Sequence, residues 1–223
     1  MIVRNRLLAM IYRIAGLGMA IFSIVTWLNE TASIGVSVLL YASTWVAFWS
    51  AFIFLNLIIV TAIDLRKGFW GIASGLYMPL GMSLTFFSIL DLILYFGYIL
   101  PGGYPTFSLG EQLICVVIPI ISILEWLLFE EKGTVGFSIL PLWYMLPSIY
   151  LLLILVRPTL WSDAPLLNGA AYPYRFLSFD AHPVWHVWIN VVIVTVLMAL
   201  VGIGLILLNN LVAGKYRRRR IEI

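Results

Sequence analysis

One carboxylate of this sequence stands deep inside an apolar run. Asp91 lies in "SILDLILYFGYIL", nine residues before Leu100, with Ser88 three residues before it and Tyr95 four residues after it. Side chains at these spacings share one face of a helix. Inserting an ionisable side chain into a membrane span costs about 2.5–3.5 kcal/mol, so such a residue is a functional hypothesis. Asp91 is either an acid that lines a pocket or ion path, or a structural acid hydrogen-bonded to a neighbouring helix.

Hydroxyl groups accumulate in the preceding apolar run, "YASTWVAFWSAFIFLN". Ser43 and Ser50 share a helix face, and Thr44 lies at a depth similar to that of Asp91. A hydroxyl and a carboxylate at one depth can converge in a pocket that opens outward. The alternative is that these hydroxyls cross-link neighbouring helices, at about 0.6 kcal/mol per hydrogen bond.

Two further reactive side chains lie in a later run. Cys115 is the single cysteine, which excludes an internal disulfide and a cysteine-based metal cluster and leaves it as a candidate pocket residue. Glu125 stands in "ILEWLLFEEKG", about one turn before Glu130. We expect Glu125 to snorkel towards water or to pair with Lys132.

The two histidines, His182 and His186, are four residues apart, and Asp180 precedes them. Histidines at this spacing can bind zinc on a helix face. Pro183 fits the first turn of a helix, which places His182 at its start and leaves His186 alone on the helix. We therefore expect no metal site and no cofactor.

An aromatic loop, "AAYPYRFLSFDAHPVWH", connects the last two long apolar runs. We expect it to fold over the outer end of the protein as a cap, with its rings at the level of the lipid head groups. The residues expected to form this cap are Tyr172, Tyr174, Arg175, Phe176 and Asp180.

Arg175 is one of two basic residues in this connection, the other being Arg157. A planar guanidinium grips a carboxylate or a phosphate in two places. We predict that Arg175 contacts a carboxylate, Asp180 first and Asp91 second, and so pins the loop over the bundle. A phosphate head group of a lipid is the third candidate partner.

The composition places these residues in a membrane. The chain is 63% hydrophobic and 10% charged, which is outside the range of soluble domains. We predict an all-α integral membrane protein, because lipid-exposed backbone must satisfy its hydrogen bonds within a helix. Residues 1–223 are expected to form one bundle of six transmembrane helices. The predicted spans are 7–27, 34–63, 69–100, 109–129, 137–156 and 184–212.

Basic residues alternate between the connections and predict the orientation. They occur before the first span, in the second and fourth connections and after the last span, whereas "NETAS" and "PGGYPTFSLGEQ" contain neither Lys nor Arg. Under the positive-inside rule both termini are cytoplasmic. The net charge of +3 therefore reflects topology and not nucleic-acid binding. The tail "KYRRRR" is an orientation signal and can also touch anionic lipids.

Three segments carry a resemblance to a known family. "YPYRFLSFD" precedes a last span with an early asparagine, Asn190; "VVIPIISILEWLLFEEKG" contains a proline, an acidic-tryptophan pair and a turn; and "LPSIYLLLILVR" is aromatic and aliphatic. Together they resemble the bacterial Pr-six-Pr branch of the androgen-induced-protein-like family of six-helix membrane proteins. The resemblance covers the last half of the chain well and the first half loosely. It implies an integral protein of a bacterial cytoplasmic membrane.

Some eukaryotic relatives in that family hydrolyse fatty-acid esters of hydroxy fatty acids with a threonine on the second helix and a histidine on the fourth. The resemblance makes Thr44 the nearest candidate for the threonine. The fourth span instead reads "GEQLICVVIP", with Gln112 and Cys115 and no imidazole. A threonine hydroxyl is a weak nucleophile that needs a base, so the departure argues against hydrolysis.

Three functions follow from these patterns. The first is a membrane protein that binds a lipid or other amphiphile in a pocket among the second, third and fourth helices, opening outward. The second is an intramembrane ester hydrolase with Thr44 as nucleophile. The third is a small transporter that uses Asp91. Membrane lipids are the expected partners.

Overall fold

The computed structural model describes residues 3–102, 108–133, 135–160, 166–167 and 171–221, and of Met78 and residues 214–221 the backbone alone. The predicted contacts of the "KYRRRR" side chains therefore lie outside the described residues. The described chain is helical and contains six helices that are long and apolar enough to cross a membrane. This confirms the predicted all-α class and the count of six candidate spans.

The six helices are numbered in chain order. Helix α1 is Arg6–Glu30, α2 is Ala42–Leu65, and α3 is Met78–Leu94, which continues into a π-helical turn at Tyr95–Ile99. Helix α4 comprises Leu109–Gln112, a π-helical turn at Leu113–Val117 and Ile118–Leu128. A 3₁₀ turn at Phe137–Ile139 leads into α5, Leu140–Leu160, and the last helix, α6, is Val184–Ile221.

Two helices begin later than the hydropathy of the sequence predicts. Residues before α2 form a 3₁₀ segment, Ala32–Leu40, which is broken at Gly35 by a φ of 54° and a ψ of −130°. The predicted start of the third span, at residue 69, lies in the loop before α3. Gly71 has a φ of 138°, a conformation that side chains rarely adopt, and a Cβ there would meet the Arg6 guanidinium. Apolar composition alone did not distinguish the segment before α2 and the loop before α3 from the helices that follow them.

The helices pack in two groups. Helices α1 to α4 pack on one another, α6 packs against α3, and α5 packs mainly against α6. Near the start of α5 the Trp143 ring stacks on Phe86 of α3 with centroids 5.6 Å apart, and its indole N–H donates to the Pro79 carbonyl at 3.0 Å. Helix α5 is therefore tied to α3 near its own first turn, and further along Tyr150 bonds the Leu40 carbonyl just before α2.

Both termini lie at the same end of the bundle. The Val3 N–H donates to the Leu128 carbonyl at 2.8 Å, and the Asn210 amide bonds both backbone groups of Val135, at 2.7 and 2.8 Å. We call this the terminus end. The opposite end, called the cap end, consists of residues 31–41 and 171–183.

A buried ion pair joins α1 to α4 towards the terminus end. The Arg13 guanidinium donates from Nε at 2.9 Å and from Nη2 at 2.7 Å to Glu125 Oε1. It also donates to the Thr61 hydroxyl and, at 3.1 Å, to the Ser74 carbonyl. The predicted partnership of Glu125 with Lys132 is wrong, because the Lys132 ammonium lies over the Trp126 ring and donates to the Trp126 carbonyl.

Candidate functional site

Asp91 is buried on the face of α3 that meets α2. The Ser43 hydroxyl of α2 donates to Asp91 Oδ1 at 2.7 Å. The Cys115 thiol of α4 in turn donates to the Ser43 oxygen at 3.3 Å. The three side chains therefore form a chain of hydrogen bonds across α3, α2 and α4, in which Ser43 and not the expected Thr44 supplies the hydroxyl that meets Asp91.

Two π-helical turns lie next to this cluster. In α3 the turn begins at Tyr95, one helical turn after Asp91, and the Leu100 N–H closes it on the Tyr95 carbonyl. In α4 the turn contains Cys115 and ends before Pro119, which has no N–H to donate to the preceding turn. Such turns are rare in proteins and recur at functional sites.

The second oxygen of Asp91 has no hydrogen-bond partner among the described residues. Asp91 Oδ2 and the Ser88 hydroxyl are both buried and both lack a donor or acceptor within the described chain. A buried polar atom without a partner carries an energetic cost, and proteins hold few of them. The cluster around Asp91 therefore keeps unused hydrogen-bonding capacity.

A cavity of about 630 Å³ reaches Asp91. Its walls come from α2 with the segment before it, from α3, from α5 and from α6, and its cap-end side is closed by the aromatic loop. The lining is apolar apart from Asp91, Ser37 and the phenols of Tyr150 and Tyr174. Pockets of 300–1,000 Å³ with apolar walls and few polar groups are typical of small-molecule sites.

The mouth of the cavity lies on the side of the bundle. The floor residues Leu90, Val194 and Met198 are buried, whereas Trp45 of α2 and Ile149 of α5 are exposed. These five residues belong to candidate membrane spans, whereas Val36, which also lines the cavity and is exposed, belongs to the segment before α2. The opening between α2 and α5 therefore faces the zone in which the outer surface of the helices is apolar.

The cavity is not where the sequence predicted it. The pocket was expected among the second, third and fourth helices, yet α4 contributes nothing to the lining and α5 and α6 do. The reason is the packing order, since α4 fills the space beside α1 and α3 while α5 stands away from α2. Cys115 instead lines a second, smaller cavity, together with Trp27, Tyr41, Ser43 and other residues.

Thr44 lies outside the large cavity. Its hydroxyl donates to the Val38 carbonyl at 3.0 Å and accepts the Trp27 indole N–H at 3.1 Å. Both partners are structural, and neither is a base that could activate a nucleophile. The arrangement anchors the segment before α2, and it argues against the predicted catalytic role of Thr44.

Ser50 and Tyr95 also stand apart from the large cavity. The Ser50 hydroxyl donates to the Val46 carbonyl at 2.8 Å and lies 3.2 Å from the Ser122 hydroxyl, so it links α2 to α4. Tyr95 packs in a buried cluster with Trp27 and Cys115. Tyr95 therefore lies beside Cys115 and not on the wall of the large cavity.

The aromatic loop covers the cap end of the cavity. The Tyr174 hydroxyl accepts the Ala42 N–H at 2.7 Å, and the Tyr150 hydroxyl, 3.4 Å away, donates to the Leu40 carbonyl at 2.6 Å. Phe176 packs on Tyr174 and lines the cavity, and the Asn190 amide donates to the Phe176 carbonyl at 2.8 Å. The loop is therefore held in place by hydrogen bonds to α2 and to α6.

The cap aromatics do not face lipid. Tyr172 and Tyr174 are buried, and Tyr172 packs edge-on against Phe179 with centroids 5.8 Å apart. Burial raises the pKa of both phenols, that of Tyr174 well above its usual value. These two rings fill space inside the cap, and their position at the level of the lipid head groups stays a prediction.

The predicted ion pair of Arg175 is also wrong. Arg175 is exposed, and its guanidinium donates to the Gly102 carbonyl at 3.5 Å, near the end of α3. Neither Asp180 nor Asp91 forms an ion pair with it, and the two ion pairs found among the described residues are Arg13–Glu125 and Lys67–Asp64. A 3₁₀ turn at Arg175–Leu177 directs the side chain away from Asp180, which is itself exposed.

Sequence reasoning missed the aromatic walls of the cavity. Trp45, Trp49 and Tyr150 line it, together with Phe87 of α3. Their spacing in α2 was visible, since Trp45 and Trp49 are four residues apart and share a helix face. What the sequence did not reveal is that this face looks across a gap towards α5.

The histidines lie at the start of α6, at the cap end. The rings of His182 and His186 are 4.6 Å apart between centroids, and His186 stacks beside Trp185. Within the described residues no group of three or more His, Cys, Asp or Glu side chains is arranged to hold a metal ion.

Comparison with known proteins identifies no relative. The chain matches no protein-family model, and neither curated proteins nor solved structures give a match. The Pr-six-Pr resemblance therefore stays a prediction from the three sequence segments.

Proposed function

We propose that this protein binds a lipid or another membrane amphiphile in the cavity between α2 and α5. The observation that carries the proposal is an apolar cavity of about 630 Å³ whose mouth lies among membrane-spanning helices and whose wall holds one buried carboxylate. An apolar chain entering from the bilayer would contact walls that are as apolar as the lipid itself. Its polar group would meet Asp91, the acid on the cavity wall.

Entry from the side fits the position of the cap. The aromatic loop is bonded to α2 through Tyr174 and to α6 through Asn190, so the route from the cap end is covered. Entry through the gap between α2 and α5 would break neither of these hydrogen bonds. We therefore place the entry route between Trp45 and Ile149, both exposed at the rim.

A photo-crosslinking experiment tests the proposal. A twelve-carbon alcohol that carries a diazirine would be added to the protein in phosphatidylcholine nanodiscs, irradiated, and the labelled peptides identified. We expect labels on the cavity faces of α2, α3, α5 and α6. Labels spread evenly over all lipid-facing helices would contradict the proposal.

Two matched substitutions in α6 sharpen the experiment. Val194 lines the cavity and is 6% exposed, whereas Val192 does not line it and is 60% exposed. We expect Val194→Trp to fill the cavity and abolish its labelling, and Val192→Trp to leave the labelling unchanged. Equal labelling of both folded variants would show that the probe binds elsewhere. If Val194→Trp does not fold, Ile149→Trp at the rim, with Leu152→Trp as its control, replaces the pair.

We also propose that both termini face the cytoplasm of a bacterial cell and that the chain is a member of the Pr-six-Pr branch. The support is the clustering of Arg4, Arg6, Arg66 and Lys67 at the terminus end, together with the sequence resemblance. A cysteine introduced after the last residue should react with a membrane-impermeant maleimide only after cell lysis. Reaction in intact cells would contradict this orientation.

A further inference from the structure

The chemistry of the cavity wall identifies the class of its ligand. We infer that the cavity binds a cationic amphiphile, namely a protonated alkylamine whose ammonium donates a hydrogen bond to Asp91 while its chain fills the apolar space. This inference rests on the proposed function, because it names the occupant of the same cavity.

The charge of the cavity wall favours a cation. Asp91 is the one acid among the lining residues, and no Lys, Arg or His of the described chain lines the cavity with it. Both ion pairs found in the described structure involve other acids. A carboxylate in such surroundings gains most from a ligand that brings a positive charge, whereas a fatty-acid carboxylate or a lipid phosphate would be repelled.

The Asp91 carboxylate also has unused hydrogen-bonding capacity. Ser43 satisfies Oδ1, while Oδ2 is buried and lacks a donor within the described residues. An ammonium group has N–H donors and no acceptor, so it complements this oxygen better than a quaternary ammonium or an ether would. A protonated amine supplies both the hydrogen-bond donor that Asp91 Oδ2 lacks and the positive charge that the cavity wall lacks.

The walls of the cavity are also rich in aromatic side chains. Trp45, Trp49, Phe87, Tyr150, Tyr174 and Phe176 line the same cavity as Asp91. The face of an aromatic ring attracts a cation, and the attraction is strongest where water is excluded. Aromatic walls around one carboxylate favour an organic cation over a neutral chain of the same length.

A set of probes of one length tests the inference. Dodecylammonium, dodecanol and dodecanoate would each compete with the crosslinking alcohol in phosphatidylcholine nanodiscs, with concentrations expressed as mole fractions in the bilayer. We expect the wild-type protein to prefer the ammonium over the alcohol by at least about tenfold, equivalent to about 1.4 kcal/mol. Dodecanoate should compete least.

Two Asp→Asn variants separate recognition from general charge. Asp91→Asn should erase the preference for the ammonium, so that the ammonium and the alcohol compete about equally well. Asp180→Asn, which removes the same charge from an exposed position on the cap, should behave as wild type. A preference that survives in Asp91→Asn, or that disappears in Asp180→Asn, would overturn the inference.

The wild-type measurement remains decisive even if Asp91→Asn does not fold. An alcohol that competes as well as or better than the ammonium would overturn the cationic ligand class while leaving amphiphile binding intact. Failure of the crosslinking alcohol itself to label the cavity would instead refute the proposed function. The two failures are therefore distinguishable.

Discussion

Glu125 and Asp91 are two carboxylates buried to the same degree, 3% and 4% exposed, in neighbouring helices of one bundle. Glu125 receives two hydrogen bonds from the Arg13 guanidinium, at 2.9 and 2.7 Å. Asp91 receives one hydrogen bond, from the Ser43 hydroxyl, and each of the two acids keeps one oxygen without a partner in the described chain. The first acid is compensated by a charge of the protein itself, and the second is compensated by a hydroxyl alone.

The difference shows which acid holds the bundle together. Taking a carboxylate out of water is costly, and the cost is offset only by good geometry with an opposite charge. The Arg13–Glu125 pair ties α1 to α4 and also reaches Thr61 and Ser74. Asp91 makes no comparable connection and lies on the wall of a cavity. The free-energy cost of burying this carboxylate is therefore consistent with a role in recognition.

The largest effect is expected when the compensated acid loses its partner. Arg13→Met should destabilise the protein by about 3–5 kcal/mol, because Glu125 is left buried and unpaired. The measurement is the free energy or the midpoint of unfolding in nanodiscs of fixed lipid composition. Arg66→Met, which removes an exposed arginine, is the control and should change stability by less than about 0.5 kcal/mol.

Removal of both charges should restore most of that loss. In the double variant Arg13→Met/Glu125→Met no buried charge remains, and apolar replacement of a buried pair is often close to neutral. A double variant as unstable as Arg13→Met alone would show that the packing of Arg13, and not the uncompensated charge, causes the loss.

A third buried acid, Glu130, extends the comparison to pH. Burial raises its pKa from 4.5 to about 7, with Lys132 opposing the shift and Glu125 adding to it. The folded state therefore favours the neutral acid, and this stabilising contribution is lost as the pH rises through about 7. Burial also lowers the pKa of Lys132, to about 8, so the ammonium compensates Glu130 less at higher pH.

We expect Glu130→Gln to gain stability relative to wild type between pH 5 and pH 8, by about 1–2 kcal/mol. Unfolding midpoints of the two proteins at both pH values give the result. The adjacent Glu131→Gln, at an exposed position, serves as the control and should show no such change. A constant difference between Glu130→Gln and wild type across this range would contradict the assigned direction.

A smaller effect is expected at the cap. Tyr174→Phe removes the acceptor of the Ala42 N–H and should cost about 1–2 kcal/mol, since a buried donor is left without a partner. Tyr77→Phe, at an exposed tyrosine in the loop before α3, should be close to neutral. Equal effects of the two substitutions would show that the cap contributes little to stability.

The smallest effect is expected at Arg175. Arg175→Ala removes an exposed side chain with one long hydrogen bond, of 3.5 Å, and should change stability by less than about 0.5 kcal/mol. Asp180→Ala measured beside it should not interact with it energetically. A coupling above about 0.5 kcal/mol in a double-mutant cycle would revive the ion pair that the sequence suggested.

Some of these features could be predicted from the sequence because they are local. An apolar run long enough to cross a bilayer predicts a span directly, and the six runs correspond to six helices. The burial of Asp91 followed in the same way from its position within such a run. The starts of α2 and α3 were misplaced because the apolar segment 32–40 and the loop before Met78 resemble spans in composition alone.

The contacts between helices could not be predicted by the same route. In a membrane the lipid is as apolar as the helix interfaces, so periodicity does not distinguish the face that packs from the face that meets lipid. Arg13 lies in the first predicted span, and its spacing in the sequence does not identify it as the partner of Glu125. The gap between α2 and α5, and with it the aromatic wall around Asp91, likewise depends on the order in which the helices pack.

We propose that Asp91 serves recognition, whereas Glu125 serves stability. The most direct test compares the unfolding midpoints of Asp91→Asn and Glu125→Gln with wild type in the same nanodiscs, without added ligand. We predict that Glu125→Gln lowers the midpoint, because it weakens the bonds from Arg13, and that Asp91→Asn leaves it unchanged or raises it. A midpoint lowered as much by Asp91→Asn as by Glu125→Gln would contradict the central claim.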